Sequence, residues 1–546
     1  MNKTIFGYLL ALLLPAAEVW AQDLNQVEKN TVIQVMEGYT QGIRVGNIDI
    51  DSINMSSDTL TLFFNSAFNN VPIRLDNAKA LTEAISRSLP ERFAHHNLRI
   101  MIAGHELGAL VPRSLQKGSS RRPAFSYSKA TPLVTNLSRP CTPTQGLANR
   151  HIAIWQSHGK YFEAGYNRWE WQRARLFESV EDKFTQSFVL PYVIPMLENA
   201  GAVVMTPRER DTNPHEVIVD NDGQLATSPY RETNGRFGWT KGAGVGFAYC
   251  RPTYVDFQNP FTEGTYRQVQ TVRKDRDAST IVWAPDLPVE RHYAVYVSYQ
   301  TLPNSTDDAR YTVYHKGGTT SFRVNQQMGG GTWIYLGTFA FDRGTGGKVV
   351  LTNVSSQEGV VVTADAVRFG GGMGNIARCA DGDSISGYTK GGKGQIQARN
   401  EWQPSLTFQP ETSGYPRYLE GARYYMQWAG IPDSIYSPSH GKNDYTDDYR
   451  SRGMWVNYLA GGTKAWPNAK GLNIPVDLSF AFHTDAGTVY GDSIIGTLGI
   501  YQTSQYGGQF ADGSSRDANR DLCDLVLTSI TNDVLMVAVS GTAVVI

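Results

Sequence analysis

The chain has 546 residues, with 50 Lys plus Arg against 51 Asp plus Glu and a formal net charge of −1. That length suffices for about three or four domains, and the balanced charge excludes a nucleic-acid binder held by phosphate contacts. Four cysteines exclude a disulfide scaffold, and 53 Gly with 25 Pro fit neither collagen-like nor broadly disordered sequence.

Residues 1–21 carry one basic residue, Lys3, an apolar run from Ile5 to Ala17, and a small-x-small site at Val19-Trp20-Ala21. This pattern predicts a cleaved signal peptide, because an anchor needs about 18 or more apolar residues. No later run is apolar enough to span a membrane. The expectation is an exported protein, periplasmic or extracellular, with no membrane span after cleavage.

Residues 22–115 read as a small α+β domain, with strands at 58–68 and 98–104 and helical spacing at 78–89. The unit resembles the accessory domains of spore-germination proteins, a likeness that implies no activity. Residues 116–149 are rich in Ser, Pro and basic residues and read as a linker. HIAIWQSHG, from His151, is a buried strand running into a loop. Helical spacing from Phe184 to Leu197 follows, with Pro191 and Pro195 set to kink it and Gly201 to cap it. AVVMT (202–206) is a second strand, so 150–250 reads as the first part of an α/β domain, expected to be a mixed sheet flanked by helices.

Residues 251–370 hold seven short alternating strands separated by Gly, Asn and Asp turns, which predicts an inserted β-sandwich. Its aromatic residues offer faces for sugars, although alternating aromatics more often build a core. Cys250 and Cys379 bracket it, either as a disulfide joining the ends or as two thiols. The α/β domain then resumes over 371–546, with helices at 415–430 and 449–461, a strand at 476–487 and an amphipathic helix at 517–534.

Three residues sit where strand ends and a helix start would gather ligands: His158 after HIAIWQS, Glu181 opening VEDKFTQSFV, and His483 after LSFAF. Ligands at the carboxyl ends of neighbouring strands share one crevice of an α/β sheet. Two imidazoles and a carboxylate suit Zn²⁺ with one open position. Such a metal lowers the pKa of a bound water and polarises a carbonyl.

These segments resemble the zinc-dependent N-acetylmuramoyl-L-alanine amidase family (amidase type 3 like). The match runs through HIAIWQSHG, VEDKFTQSFVLPYVIPMLENAG, Thr206-Pro207-Arg208-Glu209-Arg210-Asp211 and Ser479-Phe480-Ala481-Phe482-His483-Thr484-Asp485-Ala486. Asp485 stands where that family keeps Asn. The resemblance implies metal ligands His158, Glu181 and His483, with Glu181 and Asp182 both near the carboxylate position. It also implies supporting roles for Arg208 and Asp211, read as an ion pair near the site, and for Asp485.

The β segment resembles the modules of golvesin-type and xanthan-lyase proteins. The implied partner is peptidoglycan or another cell-envelope glycan, and no nucleic acid. One departure weighs on activity. The family takes its general base from a late glutamate, and this sequence has no Glu after Glu420, so no catalytic residue is assigned and the second α/β part reads as truncated relative to the family. The carboxylates left for that role are Asp485 and Asp492. General acid–base help is worth about 10²–10⁴-fold, so the expectation is a zinc amidase with crippled hydrolysis. The alternatives are a glycan-binding protein with an inactive amidase core, or a xanthan-lyase-like polysaccharide-active protein.

Overall fold

The computed structural model describes residues 24–40, 43, 45–56, 58–116, 131–141, 143, 146–175, 178–223, 225, 228–380, 388–390, 396–398, 409–484 and 497–539. The expected signal peptide, residues 117–130 of the expected linker, and Asp485 and Asp492 lie outside them. The chain forms two compact units. One is Met1–Tyr127 with Val489–Ile546, the other Ser128–Thr488.

In the first unit the helix Gln26–Gly38 starts from a reciprocal cap. Asn25 accepts from the Glu28 amide, and Glu28 takes the Asn25 N–H. The strands Ile50–Met55, Thr59–Phe64, Asn97–Ile102 and His105–Glu106 form one sheet in that order. The parallel middle pair is joined through the helix Leu75–Ser88, which buries Ala78, Leu81 and Ile85. The helix Asp517–Val539 also belongs here, because Asp524 receives both Nη groups of Arg74 at 2.7 and 2.8 Å. Residues 371–546 are therefore not one continuation of the α/β domain. An arginine 450 residues upstream holds the last helix, and no local pattern announces such a partner.

In the second unit, Leu478–Phe482, His151–Gln156 and Val203–Met205 form a three-stranded parallel sheet with His151–Gln156 central. A mixed sheet was expected. The central strand is buried on both faces, as parallel strands usually are. Ile152 and Ile154 pack with Val189, Ile194 and Val204, while Ala153, on the other face, joins the main core. The predicted helix is three pieces: Glu181–Phe188, a π-turn Val189–Val193 and Ile194–Asn199. Pro191 lies in the wide turn, where its missing N–H is tolerated. Gly201, at φ +107°, ends the run, and a Cβ there would lie 2.8 Å from the Ala148 amide.

All seven strands expected between 251 and 370 are present, and the last is split into Val361–Ala364 and Val367–Phe369. They are antiparallel and fall into three sheets, and they are joined by strands from outside the expected insertion. Val134–Asn136, from the expected linker, edges the six-stranded sheet beside Gly318–Val324. Tyr230–Thr233 edges its other side, and Val217–Val219 pairs with Val367–Phe369. The segments read as linker and as the first α/β part thus also lend edge strands to the sandwich: these short strands took their place by backbone pairing, not by a hydrophobic pattern. The sandwich shares its core with Ala422, Met426, Trp455 and Leu459, on the helices Ala422–Trp428 and Asp444–Ala460. Tyr293, Tyr299, Tyr311 and Trp283 lie in that core, so these aromatics pack inside and do not face solvent. Cys250 and Cys379 form no disulfide.

Trp283 stacks on Tyr311 and donates its indole N–H to the Asp365 carbonyl at 3.0 Å. Trp283→Ala should lower the unfolding free energy by about 3–5 kcal/mol, read by denaturant unfolding of the full chain.

Candidate metal centre

Strand geometry sets the site. Gln156 ends the central strand, and Ser157 turns the chain at φ +36°, a left-handed conformation unusual for serine. That turn lets Ser157 work on three sides. Its N–H donates to the Phe482 carbonyl at 2.7 Å, its Oγ donates to Glu181 Oε1 at 2.6 Å, and its carbonyl accepts from Arg452 at 2.7 Å. His158 follows directly. His483 leaves the neighbouring parallel strand one residue after Phe482, and Glu181 opens its helix.

The structure brings His158, Glu181 and His483 together, with one ligand atom of each within 4.8 Å of the others. His483 Nδ1 lies 3.0 Å from Glu181 Oε1, and His158 Nε2 lies 3.9 Å from Glu181 Oε2. The imidazole rings are 4.8 Å apart. Buried His158 Nε2 and Glu181 Oε2 have no hydrogen-bond partner among the described residues. Arg173 Nε approaches that same Glu181 oxygen at 3.4 Å. Burial alone would raise the Glu181 carboxyl, but hydrogen bonds from His483 and Ser157 and the nearby His158 outweigh it and hold the group at about 2. Burial, and then the Arg452 charge, push His158 down to about 3. An ionised carboxylate and a neutral imidazole are the states a metal ligand needs.

These donors fit a tetrahedral Zn²⁺ site with one position left open. One contact is unusual. A ligating imidazole ordinarily donates its second N–H to a carboxylate or carbonyl, whereas His158 Nδ1 faces Arg452 Nη2 at 2.9 Å. A guanidinium only donates, so Nδ1 carries the lone pair and the ring proton sits on Nε2. A metal held at Nε2 would need that proton moved to Nδ1 and the Arg452 contact broken, because a neutral imidazole has only one lone-pair nitrogen. Arg452 is itself held by Asp448, which also accepts from Gln172 at 2.7 Å.

Of the two candidate carboxylates, Glu181 is the one in the cluster. Asp182 is turned inward and fully buried, and burial raises it to about 6 despite the nearby Arg208. Arg208 and Asp211 do not pair. Arg208 is fully buried and donates to the carbonyls of Gln156, Tyr418 and Glu420. Asp211 accepts from the amides of Ala294 and Asn213. The loop turns Asp211 toward the sandwich, so closeness in sequence misleads. Asp485 is outside the described residues. Ser157, Arg173, Asp448 and Arg452 were missed by sequence reasoning, because a lone serine or arginine has no spacing signal. Only the position of Ser157, next to His158, could have drawn attention to it.

Comparison with known proteins places the sandwich in context. Residues 259–371 match the Golvesin C-terminal domain. The matched, Golvesin-like residues lie within the second unit. The xanthan lyase of Bacillus sp. (strain GL1) is 38% identical over 96 residues, which are 17% of this chain and 10% of that enzyme. The solved Paenibacillus xanthan lyase aligns at 26% identity and a TM-score of 0.22, over 29% of this chain and 13% of that one. The C-terminal CBM6 of LamC from Zobellia galactanivorans aligns at 13% identity and a TM-score of 0.17, over 29% of this chain and 99% of that module. The chain thus spans about a tenth of the curated xanthan lyase it matches. Among the described residues no helix is long and apolar enough to cross a membrane.

Two outcomes are expected from this geometry. Ser157→Ala should weaken Zn²⁺ binding about tenfold, the size of a lost supporting hydrogen bond, measured by competition with a chromogenic chelator. Glu420, the last glutamate, lies outside the cluster, and burial raises its carboxyl to about 7 although Ser413 donates to it at 2.5 Å. A raised carboxyl favours folding while protonated. Stability should therefore fall as pH rises from about 4.5 through about 7, and Glu420→Gln should flatten that window in a pH series of urea melts.

Proposed function

We propose that this is an exported, glycan-directed protein, engaging a polysaccharide or cell-envelope glycan through its β-sandwich and binding Zn²⁺ at His158, Glu181 and His483. The observation that carries the glycan reading is the 38% identity to a xanthan lyase, together with the Golvesin domain it accompanies. Because that similarity covers 10% of the enzyme, glycan engagement is carried over and lyase chemistry is not. The convergence of three ligand atoms with two orphaned buried ones supports the metal.

A second reading, hydrolysis of an N-acetylmuramoyl-L-alanine amide, is favoured by the same cluster. A bound Zn²⁺ supplies Lewis acidity and an activated water at neutral pH. In this chain Ser157 fixes one Glu181 oxygen, Arg173 approaches the other, and Arg452 orients His158. Among the described residues, no carboxylate beyond Glu181 joins the group.

The full chain should be retained by purified sacculi or by an acidic polysaccharide resin, and should carry about one Zn²⁺. His158→Ala and His483→Ala should each cut bound zinc at least about tenfold while retention persists. Zinc-free protein defeats the metal assignment, and failure to retain on any polysaccharide defeats the glycan reading. Release of stem peptides from sacculi, lost in Glu181→Ala, would select the hydrolytic reading. Retention of intact sacculi by zinc-loaded protein selects the binding one.

A further inference from the structure

Lys160 begins the short strand Lys160–Glu163, two residues after His158, and lies opposite Trp171 in the hairpin with Arg168–Trp171. Opposite residues of an antiparallel pair share a face. The Lys160 ammonium accordingly stands 5.0 Å from the Trp171 ring centre, and 4.3 Å from that of Tyr415. A second cation, Lys183, lies 5.5 Å from the same Trp171 ring. It sits in the first turn of the helix Glu181–Phe188, where a cation opposes the helix dipole.

Lys160 is only 6% exposed, and its ammonium has no hydrogen bond or ion pair among the described residues. Glu170, the acid whose charge acts on Lys160, is already engaged by Arg168 at 2.8 Å and by the Tyr161 hydroxyl at 3.2 Å. Burying a cation is unfavourable unless an anion meets it. The aromatic rings offset part of that cost, but the second lysine adds to it. Two ammonium groups set over shared aromatic rings are electrostatically complementary to an anion.

We propose that Lys160, Lys183, Trp171 and Tyr415 form a subsite for the carboxylate of an acidic sugar, beside the metal centre. This inference rests on the glycan reading and names its substrate class. The charge requires an anion, and the ring surfaces favour a sugar as its carrier. Tyr415 is 42% exposed and offers a flat apolar face next to the ammonium, which suits a pyranose ring stacked on the aromatic with its carboxylate toward Lys160. The hairpin also borders the metal cluster, since Arg173, two residues beyond Trp171, reaches Glu181. A carboxylated sugar held here would lie alongside the ligands His158 and Glu181.

The test is calorimetric titration of the full chain with trigalacturonate and with neutral cellotriose. Trigalacturonate should bind at least about tenfold more tightly, the size of one charge-assisted hydrogen bond. Lys160→Met, which keeps the length and removes the charge, should abolish that preference at an unchanged melting temperature. Should Lys160→Met unfold, the exposed Lys183→Gln substitution, expected to cut the preference about threefold, carries the test. Equal binding of the two sugars, a preference that survives both substitutions, or tighter binding of a carboxylated peptide than of either sugar overturns the subsite. If polysaccharide retention persists in that case, the glycan reading stands without it. Retention of no glycan at all removes both.

Discussion

A single buried guanidinium organises the second unit. Arg208 is wholly removed from solvent and donates to three backbone carbonyls, those of Gln156, Tyr418 and Glu420. Burial lowers it only to about 10, with Asp182 and Asp448 opposing that shift, so it stays charged. A buried charge is tolerable only where its donors are satisfied. Those carbonyls belong to the end of the central parallel strand and to the turn entering the helix Ala422–Trp428, segments on either side of the Golvesin domain. Arg208 therefore ties the two flanks of the sandwich to one point, one residue before Ser157 and two before His158.

From that anchored point the cluster of His158, Glu181 and His483 follows with little freedom. Ser157 is held in a left-handed turn, and the next residue presents its imidazole. The helix Asp444–Ala460 supplies Arg452 from behind, and the parallel neighbour strand supplies His483 from the side. The electrostatics are mixed: Glu181 is stabilised as an anion and approached by Arg173, Arg452 faces His158, and Lys160 and Lys183 stand by Trp171. A centre with one carboxylate and a cationic surround suits an anionic partner better than a neutral one.

Much of the sandwich was legible in the sequence, because TIVW and ARYTVYH alternate in the way half-buried strands must, while HYAVYV holds a short apolar run buried on both faces. The edge strands Val134–Asn136, Val217–Val219 and Tyr230–Thr233 were not, since three or four residues hold no measurable period and their partners lie far away in sequence. The helix at 517–534 was readable, but its placement with the first unit depends on the Arg74–Asp524 pair, which no window contains. His158, Glu181 and His483, which the structure brings together, were singled out by readable strand ends, a helix start and the amidase resemblance. The inward turn of Asp182, the separation of Arg208 from Asp211, and the parts played by Ser157 and Arg452 emerge only from three-dimensional packing.

The parallel pairing of Leu478–Phe482 with His151–Gln156 has a kinetic side. Glu181 and His483 are 302 residues apart in the chain, and the whole Golvesin domain lies between them. Closing so long a loop has an entropic cost that nothing local offsets until the intervening sandwich is compact. The two histidines therefore meet late, after the β core has formed. During synthesis, His483 emerges 302 residues after Glu181, so the cluster is among the last features of the second unit that can be completed.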